Sequence, residues 1–276
     1  MKQELNFICD KDTKLTLFLK EKLSRKFYRS LKGTKALIYV NGIITPTYNF
    51  IKNGDVIKII YEKPTESNWD FIDIPLDIVY EDSHYLVINK KEGILTIPTK
   101  AEPISVYQQV LTYLNDKSAH ISILNRLDKE TSGLMLVAKD RYSANLLEPV
   151  KEHIKRKYVA YCEGIISEGG TIDKPISKSE NGNMRIISEN GKRAVTHFKP
   201  LCYNQDSTKL LLELDTGRTH QIRVHLKSIG HPIIGDTLYG NIGAKRMYLA
   251  SAYLGYVDPY SKELKEFRLE ECLYEG

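Results

Sequence analysis

The sequence predicts an α+β protein: a large C-terminal domain built on a mixed sheet, preceded by a small α+β unit. Three observations lead there. Apolar runs of strand length and of helical spacing follow one another without the regular β–α alternation of a doubly wound sheet. The charge is uneven: residues 11–35 hold nine Lys and Arg against two acids, a net of +7, while the whole chain carries only +5. Pro64 and Pro75 flank a polar stretch, which divides the chain into a unit over residues 1–65, a linker over 66–75 and a domain over 76–276. With 276 residues, 42% apolar and 27% charged, the chain has the material for one large domain or two unequal ones, and the composition disfavours disorder.

Helical spacing of Leu15, Phe18, Leu19 and Leu23 predicts an amphipathic helix over residues 14–23. Ser24 is placed to cap a second helix that ends near Gly33, with Phe27, Tyr28 and Leu31 inward. On its other side Arg25, Arg29 and Lys32 fall at i, i+4 and i+7, a basic stripe that Lys26 extends. Such a stripe is either a solvated face or a polyanion-binding one. Ala36–Val40, the turn Asn41-Gly42 and Ile43-Ile44 form a hairpin signal, and a second turn at Asn53-Gly54-Asp55 leads into a strand at Val56–Tyr61.

In the larger domain, Ile78–Glu81 and Tyr85–Asn89 read as strands, and Val106, Val110, Leu111 and Leu114 mark a helix. Leu134–Ala138 is a buried-strand run. Ala144, Leu147, Val150 and Ile154 suggest a helix broken at Pro149. Tyr158–Cys162, Ala194–Phe198 and Leu210–Leu214 read as strands, with Tyr158 opening the first. Ile222, Leu226 and Ile229 mark a last helix, capped by Thr219 and stopped by Gly230.

Some functions are excluded early. The longest apolar runs, such as Ala36–Val40, are too short to span a bilayer, and the N-terminal MKQELNFICDKD has no secretory apolar core, so no membrane is expected and the cytoplasm is the expected location. Cys9, Cys162, Cys202 and Cys272 are too scattered for a disulfide framework or a zinc site. Phosphate-binding, dinucleotide, serine-hydrolase and zinc-protease motifs are absent, so no cofactor is expected.

Three clusters can carry chemistry. Asp128 sits in a polar loop, within NRLDKETSGLMLVAKD, just before a buried strand and beside Arg126. It is either a turn residue or a carboxylate held for reaction against a rigid sheet. Arg218, His220, Arg223, His225 and Lys227 gather around the start of the last helix, an arrangement that suits phosphate or internal salt bridges. His220 and His225 lie five apart, off one helical face and without an acidic third ligand, so no metal is expected. Tyr158 follows the basic run in KRKYVAYCEG and, read alone, is a core residue.

Taken in order, RLDKETSGLMLVAKD, Lys157 to Gly164, GKRAVTHF, GRTHQIRVH and GHPIIGDTLYG resemble the pseudouridine synthases of the RluA family, over about residues 75–270. The N-terminal FLKEKLSRKFYRSLK and IYVNGIITPTYNFIKNGDVIKI resemble the ribosomal-protein S-four-like RNA-binding domain. The resemblance implies a mixed, mainly antiparallel catalytic sheet of pseudouridine synthase type and an isomerase that turns uridine into pseudouridine in RNA. It implies Asp128 as the catalytic carboxylate, nucleophile or base, and Tyr158 as the residue stacking on the base or accepting its proton. Arg223 would orient the Asp. Arg126, Arg218, His220, Arg25, Lys26, Arg29 and Lys32 would bind RNA. Ribosomal large-subunit RNA is the expected substrate, tRNA the second, and a monomer the default. The chain departs from the family pattern at Asn125, where His is usual, at Lys91-Glu92 and at Ala250-Ser251. A non-catalytic RNA-binding assembly factor and a glycoside-cleaving enzyme remain the competing readings, the latter needing a second carboxylate.

Overall fold

The computed structural model describes residues 2–23, 27–29, 31, 36–62, 69–116, 119–180, 182, 184–241 and 244–269. The N-terminal unit runs β1 (Lys2–Ile8), β2 (Thr13–Lys14), α1 (Leu15–Lys22), β3 (Leu37–Val40), β4 (Ile43–Ile44), β5 (Phe50–Ile51) and β6 (Val56–Glu62). Its main sheet has the order β1-β6-β3-β4, and β2 pairs with β5. Ile57, Ile59 and Tyr61 alternate along β6 onto Leu15, Phe18 and Leu19 of α1, forming one core. Residues 27–29 and Leu31 are helical, with Phe27, Tyr28 and Leu31 in that core and Arg29 exposed. Ser24, Arg25, Lys26 and Lys32 lie outside the described residues. The hairpin turns where expected, with positive φ at Asn41 and Gly42. Strand β1 was not identified from the sequence. It pairs with β6 along its whole length, with Glu4 and Asn6 exposed and Leu5 and Phe7 packed against the core.

The rest comprises β7 (Ile78–Glu81), β8 (Tyr85–Lys90), α2 (Val106–Leu114), β9 (Ser122–Ile123), β10 (Ser132–Ala138), α3 (Arg141–Leu147), a 3-10 segment (Glu148–His153) and β11 (Lys155–Glu163). There follow β12 (Gly170–Asp173), β13 (Ile176–Lys178), β14 (Arg185–Ile187), β15 (Val195–Tyr203), β16 (Ser207–Leu214), α4 (Gln221–Ser228), β17 (Leu249–Val257) and β18 (Leu264–Arg268). Ten strands form one sheet in the order β12-β15-β16-β11-β17-β10-β8-β7, with β9 against β10 and β18 against β17. The β10–β17 pair is parallel and only two residue pairs long, Ser132 with Ala250 and Gly133 with Ser251; the other ladders described in the sheet are antiparallel. Gly133 is required there: its φ is +110, and a Cβ would meet the Ser251 carbonyl oxygen at 2.4 Å.

Both faces of the sheet are covered, which explains the unbroken apolar run of β10. Met135 and Val137 face one core with Val110 and Leu111 of α2 and Ile222 and Leu226 of α4. Leu134, Leu136 and Ala138 face the other, with Ala144 and Leu147 of α3. The break near Pro149 is where α3 gives way to the 3-10 segment. Tyr158 lies inside β11, which opens at Lys155 rather than at Tyr158 as expected. Thr219 does not cap α4 either. His220 occupies the cap with φ 55, without a side-chain cap bond, and Gln221 Oε1 instead accepts from the Arg218 amide. The second half of the presumed linker is anchored: Gln108 donates to the Asp70 carbonyl and Gln109 to that of Pro75. The N-terminal unit contacts α3, with the Phe7 and Tyr142 rings 5.9 Å apart and the Arg141 guanidinium 5.7 Å from the Phe27 ring.

Candidate active site

Asp128 follows a segment pinned from several sides. Asn125, 3% exposed, donates to the Leu134 carbonyl at 3.2 Å and accepts from the Leu136 amide at 2.7 Å, so its side chain acts as a strand partner for β10. Thr96 donates to the Leu127 carbonyl at 2.6 Å. Beyond Asp128, the Thr131 amide closes a turn onto the Asp128 carbonyl at 3.1 Å. Lys90, 2% exposed, donates to the carbonyls of Lys91, Lys129 and Thr131 at 2.9, 2.9 and 2.7 Å. Burial pulls its ammonium pKa down to about 8, against the opposing charges of Glu130, Asp128 and Glu92. The backbone of the loop is thus fixed while the Asp128 side chain stays 26% exposed at a cavity.

Arg223 enters the cavity from α4, its side chain 4% exposed. Its strong partner is Asp236, fully buried, which it grips in two bonds: Nε to Oδ2 at 2.7 Å and Nη2 to Oδ1 at 2.6 Å. The remaining nitrogen, Nη1, stands 3.8 Å from Asp128 Oδ2. Asp236 Oδ1 also accepts from the amides of Leu238 and Tyr239. Burial would raise the Asp236 carboxyl, but the Arg223 hydrogen bonds and charge hold it below the ordinary value. The Tyr239 ring lies against the guanidinium at 5.1 Å.

His220 places Nε2 at 3.9 Å from Asp128 Oδ2 and Nδ1 at 2.9 Å from the Tyr239 hydroxyl. Burial and the charges of Arg223 and Arg185 lower its pKa despite Asp128 nearby. Tyr158, 6% exposed, projects from β11 at a bulge against β17, and burial raises its hydroxyl pKa. Leu214, Ile222 and Leu249 give the cavity an apolar wall.

The structure therefore brings Asp128, Tyr158, Arg223, His220, Arg126 and Arg218 to one cavity. Arg126 is exposed at its rim, and Arg218 Nε donates to the Arg193 carbonyl at 3.0 Å. Arg29 does not line it, and Arg25, Lys26 and Lys32 fall outside the described residues. Lys90, Asp236 and Tyr239 were not singled out in the sequence. The signal for the last two was the GHPIIGDTLYG stretch, where an Asp sits three residues before a Tyr. Among the described residues no group of three or more His, Cys, Asp and Glu is placed to hold a metal ion, and no helix is long and apolar enough to cross a membrane. A larger cavity, about 620 Å³, opens beside Val159, Tyr161, Tyr248 and Arg246 and contains none of the predicted catalytic residues. Chemically, the smaller cavity presents a carboxylate, a buried guanidinium that is already neutralised, and an aromatic and apolar wall for a flat ring.

Comparison with known proteins identifies the family. A sequence model of the RNA pseudouridylate synthase family matches residues 84–228. YjbO of Bacillus subtilis (strain 168), described as an uncharacterized RNA pseudouridine synthase, is 34% identical over 255 residues, 89% of this chain and 90% of its own length. Ribosomal large subunit pseudouridine synthase D of Vibrio vulnificus is 38% identical over 204 residues, 72% of this chain but 63% of the Vibrio protein, a little under two thirds. The structure of human RNA pseudouridylate synthase domain containing 1 matches with a TM-score of 0.61 and 27% identity, over 70% of this chain and 82% of that one. Human RNA pseudouridylate synthase domain containing 4 shares the fold, with a TM-score of 0.57 and 22% identity over 70% of this chain and 87% of that one. The chain belongs to the RluA family of RNA pseudouridine synthases, enzymes that isomerise uridine to pseudouridine in RNA.

Proposed function

We propose that the protein modifies uridine in structured RNA, with large-subunit ribosomal RNA as first substrate and tRNA as second, through Asp128, Tyr158 and Arg223. The observation that carries this reading is their convergence: three residues from a loop, a strand and a helix line one cavity. The reaction breaks the bond from uracil N1 to the ribose anomeric carbon and forms one from carbon 5. The carbon 5 proton leaves and N1 gains one, so the step is an isomerisation without redox change. Asp128 acts as nucleophile at the ribose anomeric carbon or as base at the neighbouring sugar carbon, with Arg223 setting its orientation. The target base leaves its stack at a cost of a few kcal/mol and enters against Tyr158. The Tyr158 ring stacks on the base, and its hydroxyl, kept protonated at neutral pH by burial, accepts the carbon 5 proton late in the reaction while passing its own proton to solvent. Arg126 and Arg218 at the rim and the basic face of the N-terminal unit, a domain of S-four-like type over residues 1–65, add phosphate contacts. The ribosomal target is supported by the large-subunit relatives and by that basic unit, and a cytoplasmic location goes with it.

The test uses unmodified large-subunit RNA carrying tritium at uridine carbon 5. Wild type is expected to release tritium and leave pseudouridine at discrete positions, and Asp128→Asn to release none while still binding. Tight binding without release by wild type, on both ribosomal RNA and tRNA, would instead favour a non-catalytic assembly factor. Free uracil as product would favour glycoside cleavage.

A further inference from the structure

The sequence places His220 among RNA-binding residues, but the geometry points to a different task. We propose that His220 is a positioning residue: its imidazole Nε2–H, together with Arg223, holds Oδ2 of Asp128 and leaves Oδ1 as the reacting oxygen. This inference rests on the proposed role of Asp128.

Both cationic or polar neighbours of Asp128 face the same atom. Arg223 Nη1 stands 3.8 Å and His220 Nε2 3.9 Å from Oδ2. Among the described residues neither carboxylate oxygen of Asp128 accepts a hydrogen bond, and both ion-pair approaches are to Oδ2. The tautomer of His220 follows from the hydrogen-bond pattern. The Arg185 amide donates to the Tyr239 hydroxyl at 2.8 Å, which leaves the hydroxyl proton for His220 Nδ1 at 2.9 Å. With Nδ1 accepting, the ring proton sits on Nε2 and faces the carboxylate. The opposite tautomer would aim a lone pair at a negative charge. Every element around the ring contributes a charged or titratable group: Asp128 from the loop, Arg223 from α4, Arg185 from β14, and Asp236 and Tyr239 from the segment before β17. Burial and the two arginines keep the imidazole neutral, so it is a donor and not a competing cation.

The backbone supports the same reading. His220 has φ 55, a left-handed conformation that His, Asn and Asp accept better than most residues. That conformation starts α4 without a side-chain cap and turns the imidazole into the cavity instead of onto the helix amides. The separations of 3.8 and 3.9 Å describe the enzyme without RNA, and catalytic hydrogen bonds commonly shorten when substrate enters.

Two variants separate this role from RNA binding and from folding. Asn at this position tolerates φ 55 but is one methylene too short to reach Asp128, whereas the Gln amide reaches where Nε2 stands. His220→Asn is expected to lower kcat about 10- to 100-fold with KM for RNA unchanged, and His220→Gln to recover most of that loss. A rise in KM with kcat intact would overturn the proposal in favour of an RNA contact. Equal losses in both variants, tracking a fall in melting temperature, would overturn it in favour of a structural role. An independent readout needs no activity: 15N NMR of histidine-labelled protein, with the His220 signal assigned from His220→Gln. The Nε2–H tautomer is expected near neutral pH, perturbed by Tyr239→Phe and by Asp128→Asn. An Nδ1–H tautomer or an imidazolium at pH 7 would sink the idea. Wild type that releases no tritium would count against the function, while the NMR result would still decide the placement of His220.

Discussion

At the scale of single residues, the site is governed by how one guanidinium is shared between two carboxylates. Arg223 gives its two-bond grip to buried Asp236 and only a 3.8 Å approach to Asp128, so Asp128 keeps much of its charge available. Asp236→Asn weakens that grip. Arg223 then loses the two-bond grip that aims its third nitrogen at Asp128, which is expected to lower kcat by about 100-fold, with a stability loss of about 3 kcal/mol from the broken buried pair. Urea unfolding and single-turnover tritium release would measure the two. Lys90 offers a second test, through its titration. Its pKa is about 8 in the folded chain, below the ordinary lysine value of 10.5, so between these pH values the unfolded chain binds the proton more tightly. Its contribution to stability therefore rises with pH across that window and is lost as pH falls through about 8. Melting temperatures of wild type minus those of Lys90→Met should climb from pH 8 to 10, and a flat difference would contradict the burial argument. Asp128, Tyr158 and Arg223 were legible in the sequence because they sit inside long ordered motifs. Lys90 was not, because in NKKEG a lysine reads as one more solvated charge, and only the fold shows three carbonyls converging on it.

At the scale of elements, patterns that depend on burial were readable and those that depend on an exceptional backbone were not. The run Leu134–Ala138 announced a strand buried on both faces, and Pro149 announced the break after α3. The start of α4 was misassigned to Thr219 because no propensity announces a helix that begins from a left-handed residue. The departure at Asn125 also has a local meaning: its amide both donates and accepts along β10, which a single imidazole nitrogen cannot do. Gly133 joins the two parts of the sheet where backbones nearly touch. Gly133→Ala is expected to cost about 2–4 kcal/mol, from its positive φ and the clash with Ser251 together. Denaturant midpoints would show it, and a loss below 1 kcal/mol would mean the strands separate without penalty.

At the scale of the whole molecule, the N-terminal unit is attached by contacts as well as by chain. Phe7 and Phe27 meet Tyr142 and Arg141 of α3, so the exposed Arg29 face has a defined direction relative to the cavity. The charge asymmetry that signalled this unit was visible from residue counts alone, whereas its docking was not, since Tyr142 reads as an ordinary helix aromatic. If the basic face binds phosphate, Arg29→Gln should reduce the slope of log affinity against log salt by about one while leaving kcat at saturating RNA unchanged. Filter binding across a salt series would measure the slope, and an unaltered one would remove Arg29 from the RNA contact.

The two-pair parallel ladder between β10 and β17 also bears on how the enzyme comes into being. Asp128 belongs to the stretch before that ladder, while Tyr158, His220 and Arg223 belong to the stretch after β10. A ribosome translating this chain makes the acid early, its partners later, and the strand that joins both parts last of the three. Contacts of such long sequence separation form slowly. The nascent chain therefore carries an incomplete site until Ser251 has emerged.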